Sequence, residues 1–138
     1  MSTSLVEHLL VPIANDEDAR ATARALEAYD FDRVTAVHVI EKGGGAPDKM
    51  PLEQAEQRAE ESFDAFREVL PEASTELTYH QNVVTAILDT AEDVDASAIV
   101  FRPRGGSRIV QFLSGDTARK LVTEAERPVI ALPEGTNE

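Results

Sequence analysis

The chain has 138 residues, 26 acids against 13 bases, a net charge of −13 and no cysteine. That length suits one domain able to bury a core without staples, and the absence of cysteine excludes disulfides and thiolate zinc sites. So acidic a surface repels phosphate backbones, which argues against nucleic-acid binding, and no apolar run approaches the ~20 residues that span a bilayer.

Leu9-Leu10-Val11-Pro12-Ile13 is a short apolar run ending at a turn, which predicts a buried strand. Asn15-Asp16 then caps a predicted helix from Glu17 to Tyr29, in which Ala21, Ala23, Leu26 and Ala28 form a small-residue face for close packing. The β-branched stretch from Arg33 to Ile40 predicts a second strand, bounded by Asp30/Asp32 and by Gly43-Gly44-Gly45. Residues 43–48 predict a surface linker, with a lid as the alternative. Pro51 to Leu70 is helical by composition, and Ala55, Ala59, Phe63, Phe66 and Leu70 follow the three-and-four spacing. Ser74 to Tyr79 predicts a third strand, whose weak alternation places it at an edge. Val83 to Val94 predicts a helix with Val84, Ile87, Leu88 and Ala91 on one face. Ala96 to Phe101 predicts a fourth strand, apolar on both faces. Asp116 to Glu126 predicts the last helix, and Pro128 to Pro133 the fifth strand.

Strand and helix alternate throughout, which implies a single α/β domain over residues 1–138, with a mostly parallel sheet covered by helices on both faces. Ligands of such folds bind beyond the carboxyl ends of the strands, at the switch point.

The most informative segment follows the fourth strand. It runs Arg102-Pro103-Arg104-Gly105-Gly106-Ser107-Arg108, then after Ile109 to Leu113 comes Ser114-Gly115-Asp116-Thr117. Together with Leu9-Leu10-Val11-Pro12 and Val37-His38-Val39, this order of strand, glycine loop, helix and Pro-Val strand resembles the universal stress protein family. The resemblance implies a Rossmann-like, adenine nucleotide alpha hydrolase-like sheet of strand order 3-2-1-4-5. It also implies a nucleotide pocket near Pro12, Ala14 and Val39, completed by Arg102, Arg104, Gly105, Gly106, Ser107, Arg108, Ser114, Gly115, Asp116 and Thr117.

Nucleotide-binding members of that family carry Gly-x-x-Gly-x9-Gly followed by Ser or Thr. Glycines let the backbone approach phosphate, and N–H groups at a helix N-terminus supply positive potential. Gly105 and Gly115 match the second and third glycines, but Arg102 takes the place of the first and Asp116 that of the hydroxyl residue, with Thr117 one place late. The family's adenosine-contacting Asp falls on Ala14. A carboxylate ~4 Å from one phosphate charge costs about 4 kcal/mol at an effective dielectric near 20, close to a thousandfold in affinity. High salt shrinks that cost. The resemblance therefore implies a degenerate ATP-binding motif.

Four of the ten arginines, Arg102, Arg104, Arg108 and Arg119, cluster around this loop. Two readings stand: an anion site using bidentate guanidinium contacts, or ion pairs with Asp116, Glu124, Glu126 or a partner subunit. Asp116 is either a first-turn acid favouring the helix dipole or a contact to ligand or magnesium. His38 is expected as a core histidine and His80 in a solvated turn; Glu53, Glu56, Glu60, Glu61 and Asp64 mark a solvated helix face. There is no Gly-x-Ser-x-Gly elbow, no Walker-type loop and no Ser-Gly-Gly-x-Asp-Ser signature, which Gly105-Gly106-Ser107 echoes only in part.

The expected protein is thus a universal stress-type, non-catalytic regulatory homodimer with weakened or absent ATP binding. The alternative is a sensor for a nucleotide or another small anion, and weak hydrolysis would need Asp116 as base. By resemblance, Val129, Ile130, Ala131 and Leu132 of the terminal strand pair with their twins in a second subunit. No catalytic residue, metal or certain cofactor is assigned. With no membrane span, and a start (Met1 to Glu7) lacking signal-peptide character, the expected location is the cytoplasm. Acid-rich, lysine-poor surfaces stay hydrated in concentrated salt, where the Debye length is about 3 Å near 1 M, so a halophilic source is expected, with an ordinary acidic protein as the alternative.

Overall fold

A computed structural model describes residues 4–41, 51–102 and 115–133. Along the chain run β1 (His8–Pro12), α1 (Asp16–Leu26), β2 (Arg33–Glu41), α2 (Leu52–Val69), β3 (Ser74–His80), α3 (Val83–Asp93), β4 (Ala98–Phe101), α4 (Gly115–Glu124) and β5 (Val129–Ala131). The strands form one five-stranded sheet of order β3-β2-β1-β4-β5. Every neighbouring pair is parallel, with Leu10 opposite both Thr35 and Ile99. This is the expected order, with β3 at one edge and β5 at the other.

The absence of clean alternation in β1, β2 and β4 follows from burial on both faces. Leu9, Val11, Ile13, Val34, Ala36, Ala98 and Val100 join one core, with Ala19, Ala23 and Leu26 of α1 and Ala59, Phe63 and Phe66 of α2. Leu10, Val37, Val39 and Ile99 point the other way and join Val84, Ile87, Ala91 and Leu121. Alanines line the buried faces of α1 and α2, so the two helices pack closely over one side of the sheet. Edge strand β3 is only partly buried, as its polar residues require.

Several elements are shorter than their periodicity predicts, each for a local reason. Helix α1 ends at Leu26: the Glu27 N–H, shared between the Ala23 and Arg24 carbonyls, makes the last helical bond, and Tyr29 N–H closes a tighter turn on Leu26. Strand β4 starts at Ala98, not Ala96, because residues 95 and 96 finish α3. Asp95 sits at φ 58°, in the left-handed region, while Ala96 N–H reaches the Ala91 carbonyl at 2.9 Å and Asp95 N–H that of Glu92 at 3.2 Å. That hydrogen-bond pair is the Schellman helix stop, with Asp where glycine is usual. At the end of the last helix, Ala125 N–H bonds to the Leu121 carbonyl at 3.0 Å and α4 ends at Glu124. Ladder bonds flank β5, from Ile99 N–H to the Pro128 carbonyl and from Leu132 N–H to that of Phe101, both 2.9 Å. The glycine run at 43–45 lies outside the described residues. Among those described, no helix is long and apolar enough to cross a membrane.

Candidate functional site

The order β3-β2-β1-β4-β5 places the switch point between β1 and β4, at their carboxyl ends. Chain leaving β1 turns at once into α1. Asn15 is the N-cap: its side chain accepts from the Asp18 N–H at 2.8 Å, and Asp18 Oδ2 accepts from the Ala14 N–H at 3.0 Å. The two side chains thus satisfy amides in both directions across the turn, as a capping box does. Asp16, Glu17 and Asp18 put negative charge in the first turn, where the helix dipole favours it.

Asp18 is fully buried, and its buried partner is the residue that follows β4. Residues alternate between faces along a strand, so Phe101 faces α4 while Arg102 faces α1. Arg102 Nη2 lies 3.7 Å from Asp18 Oδ1, with side-chain exposures of 8% and 0%. At that length the contact is an ion pair rather than a hydrogen bond. Arg102 Nε–H also donates to Thr22 Oγ1 at 3.4 Å, and Thr22 stands one turn beyond Asp18 on the same buried face. Removing one partner of such a pair costs ~3–5 kcal/mol, because the other charge is left buried.

Of the residues expected from sequence, Arg102 is therefore joined to the Ala14 turn through Asp18. Ala14 packs with Phe101, Ala118 and Val129 beneath α4. Pro12 is buried at the end of β1, and Val39 is buried on the α3 and α4 face of β2. Gly115 and Asp116 open α4, with half-buried Thr117 in its first turn. Arg104, Gly105, Gly106, Ser107, Arg108 and Ser114 lie outside the described residues. Asp18 and Thr22 are absent from the expected set. The spacing Asn15-x-x-Asp18 marks Asp18 as a capping partner, but nothing local reveals a partner as far along the chain as Arg102, 80 residues from Thr22.

His38 sits in β2 at 7% exposure, its ring edge-on to Phe63 with centroids 6.4 Å apart. Burial lowers its pKa to about 4, against the opposing pull of the Ile13 backbone and with a further push from Arg58. Its Nδ1 has no hydrogen-bond partner among the described residues. His8 is also buried, with Nε2 2.7 Å from Thr35 Oγ1, and burial followed by the Arg33 charge depresses its pKa. His80 belongs to the α3 cap: its Nδ1 accepts from the Asn82 N–H at 2.9 Å, while Asn82 Oδ1 accepts from the Thr85 N–H at 2.9 Å. Glu53, Glu60, Glu61 and Asp64 are exposed, and half-buried Glu56 accepts a hydrogen bond from the Tyr79 hydroxyl. Among the described residues no group of three or more His, Asp or Glu is placed to hold a metal.

A groove of about 420 Å³, lined by residues including Phe31, Arg33, Leu70 and Glu72, opens at the amino ends of β2 and β3. It lies at the wrong end of the strands for the ligands of this architecture.

These features define an open, doubly wound parallel α/β domain with a charged switch point. A family model described as the Universal stress protein family matches residues 6–133. The chain belongs to the universal stress protein family. Its structure is similar to that of a universal stress protein from Archaeoglobus fulgidus, at 23% identity and TM-score 0.62, covering 91% of this chain and 93% of that one. It is also similar to an Archaeoglobus fulgidus universal stress protein in complex with dAMP, at 22% identity and TM-score 0.61, covering 94% and 99%. Universal stress protein UspA from Lactobacillus plantarum matches at 22% identity and TM-score 0.64, again covering 94% and 99%. No curated protein sequence matches the chain significantly.

Proposed function

We propose that this universal stress protein is a non-catalytic, homodimeric regulatory module, acting in the cytoplasm, in which ATP binding is weakened or lost. The observation that carries this reading is the buried Asp18–Arg102 pair at the switch point. Arg102 faces a carboxylate of its own chain, so its charge is largely neutralised before any phosphate arrives. Ala14 offers no carboxylate to a ribose or base, and the sequence sets Asp116 where nucleotide-binding members of the family carry a hydroxyl residue.

The β5 edge supports the dimer. Val129 and Ile130 are half-buried and Ala131 is exposed, whereas Leu132 is already buried in this chain's own core. An edge strand presents unpaired backbone groups, and two-fold pairing is the commonest closed way to cover them. Small-angle scattering in high salt is expected to give a dimer at micromolar concentration; a monomer there refutes this part of the reading.

A second reading, a nucleotide or small-anion sensor using Arg102, Arg104 and Arg108, is favoured by one observation: a relative of the same fold binds dAMP. Calorimetry with AMP and cyclic nucleotides, with and without magnesium, separates the two. Silence across that set removes the nucleotide version of the sensor.

A further inference from the structure

We propose that Asp18 is a positioning residue that latches Arg102 and thereby withholds it from anions at the switch point. This inference rests on the reading of weakened nucleotide binding and supplies a cause for it within the chain. Four observations lead to it. Arg102 leaves the carboxyl end of β4, on the strand that borders the switch point. Its guanidinium is turned onto the α1 face, where Asp18 Oδ1 is 3.7 Å from Nη2 and Thr22 Oγ1 accepts from Nε–H. Asp18 is itself fixed, since its other oxygen accepts the Ala14 N–H and its own N–H is held by Asn15. Both charged side chains are more than nine-tenths buried, so salt screens their attraction poorly.

The carboxylate therefore neutralises the guanidinium charge that an incoming phosphate would seek, a built-in competitor at very high effective concentration. An incoming anion must displace Asp18 and leave it buried without its counter-charge, a cost that penalises anions as a class. Asparagine at position 18 keeps an oxygen for the Ala14 N–H but gives up the charge. It frees the arginine without emptying the cap.

The test is titration of the full chain with inorganic pyrophosphate at fixed ionic strength, followed by calorimetry. Asp18→Asn is expected to bind at least about tenfold more tightly than the wild type, and Asp18→Asn/Arg102→Gln to lose that gain. A folded Asp18→Asn variant no tighter than wild type overturns the latch, as does a gain that survives in the double variant. Should Asp18→Asn fail to fold, the wild-type chain still decides: the Arg102 Nε–H resonance is expected to exchange slowly and to stay unmoved by pyrophosphate. A shift of that resonance on titration refutes the latch. Tight ATP binding by the wild type would instead overturn the reading beneath it, which keeps the two failures distinct.

Discussion

Replacing His38 by leucine is expected to remove a specific part of the acid sensitivity of folding. The imidazole is held neutral by burial, with a pKa lowered to about 4 in the folded chain from 6.5. The folded state thus binds fewer protons than the unfolded state between those values. This contribution to stability is fully present above the unfolded pKa and is lost as pH falls through the window to about 4. The complete window corresponds to ~3 kcal/mol at 1.36 kcal/mol per unit. At about pH 5 only part of it is traversed, and the wild type loses ~2 kcal/mol relative to neutral pH. Carboxylates titrate in both proteins, so the difference between wild type and His38→Leu isolates the histidine. Urea unfolding of each at about pH 7.5 and about pH 5 measures it. Leucine suits a site against Phe63 and leaves no polar Nδ1 to bury but withdraws the hydrogen bond to the Ile13 backbone, so the variant is expected to lie within ~1–3 kcal/mol of the wild type at the higher pH and to lose less on acidification. Equal loss of stability on acidification in the two proteins refutes the reasoning.

Asn15→Ala and Asn82→Ala each remove an N-cap acceptor, from α1 and α3, and are expected to cost ~1 kcal/mol apiece in denaturant unfolding. Asp95→Val places a β-branched side chain at φ 58° and is expected to cost ~1–2 kcal/mol, whereas Asp95→Gly leaves stability level or slightly raised. Phe66→Ala empties the largest fully buried side-chain site among the described residues and is expected to cost ~3–5 kcal/mol, read as a fall in melting temperature. With a net charge of −13, the melting temperature is expected to rise between low salt and roughly 1 M potassium chloride as self-repulsion is screened; a flat response contradicts that electrostatic account.

The fold was legible because its signals are local and repeated. Runs such as Leu9 to Ile13 and Ala98 to Phe101 are buried on both sides, and only a parallel sheet between helix layers buries strands in that way. The weak alternation of Ser74 to Tyr79 likewise marks an edge, and the structure puts the strand there. Element ends were less legible. Asp95 in the left-handed region is a conformation that sequence favours for glycine, so a helix stop there passes unnoticed. The site divides in the same way. Arg102 stands out by position after the fourth strand, while its partner Asp18 looks like one more acid in an acid-rich first turn. Only the alternation that turns Arg102 onto the α1 face, and the helical spacing that brings Asp18 and Thr22 to it, makes the pair. Interactions between residues so far apart in sequence depend on the assembled sheet.

The proposed weakness or loss of ATP binding in this universal stress protein is open to direct measurement. Isothermal titration calorimetry of the wild-type chain with ATP and magnesium at roughly 1 M salt measures that affinity. No saturable heat is expected up to about millimolar ATP, or −4 kcal/mol of binding free energy at most. A saturable isotherm with a micromolar dissociation constant, roughly −8 kcal/mol, contradicts the account.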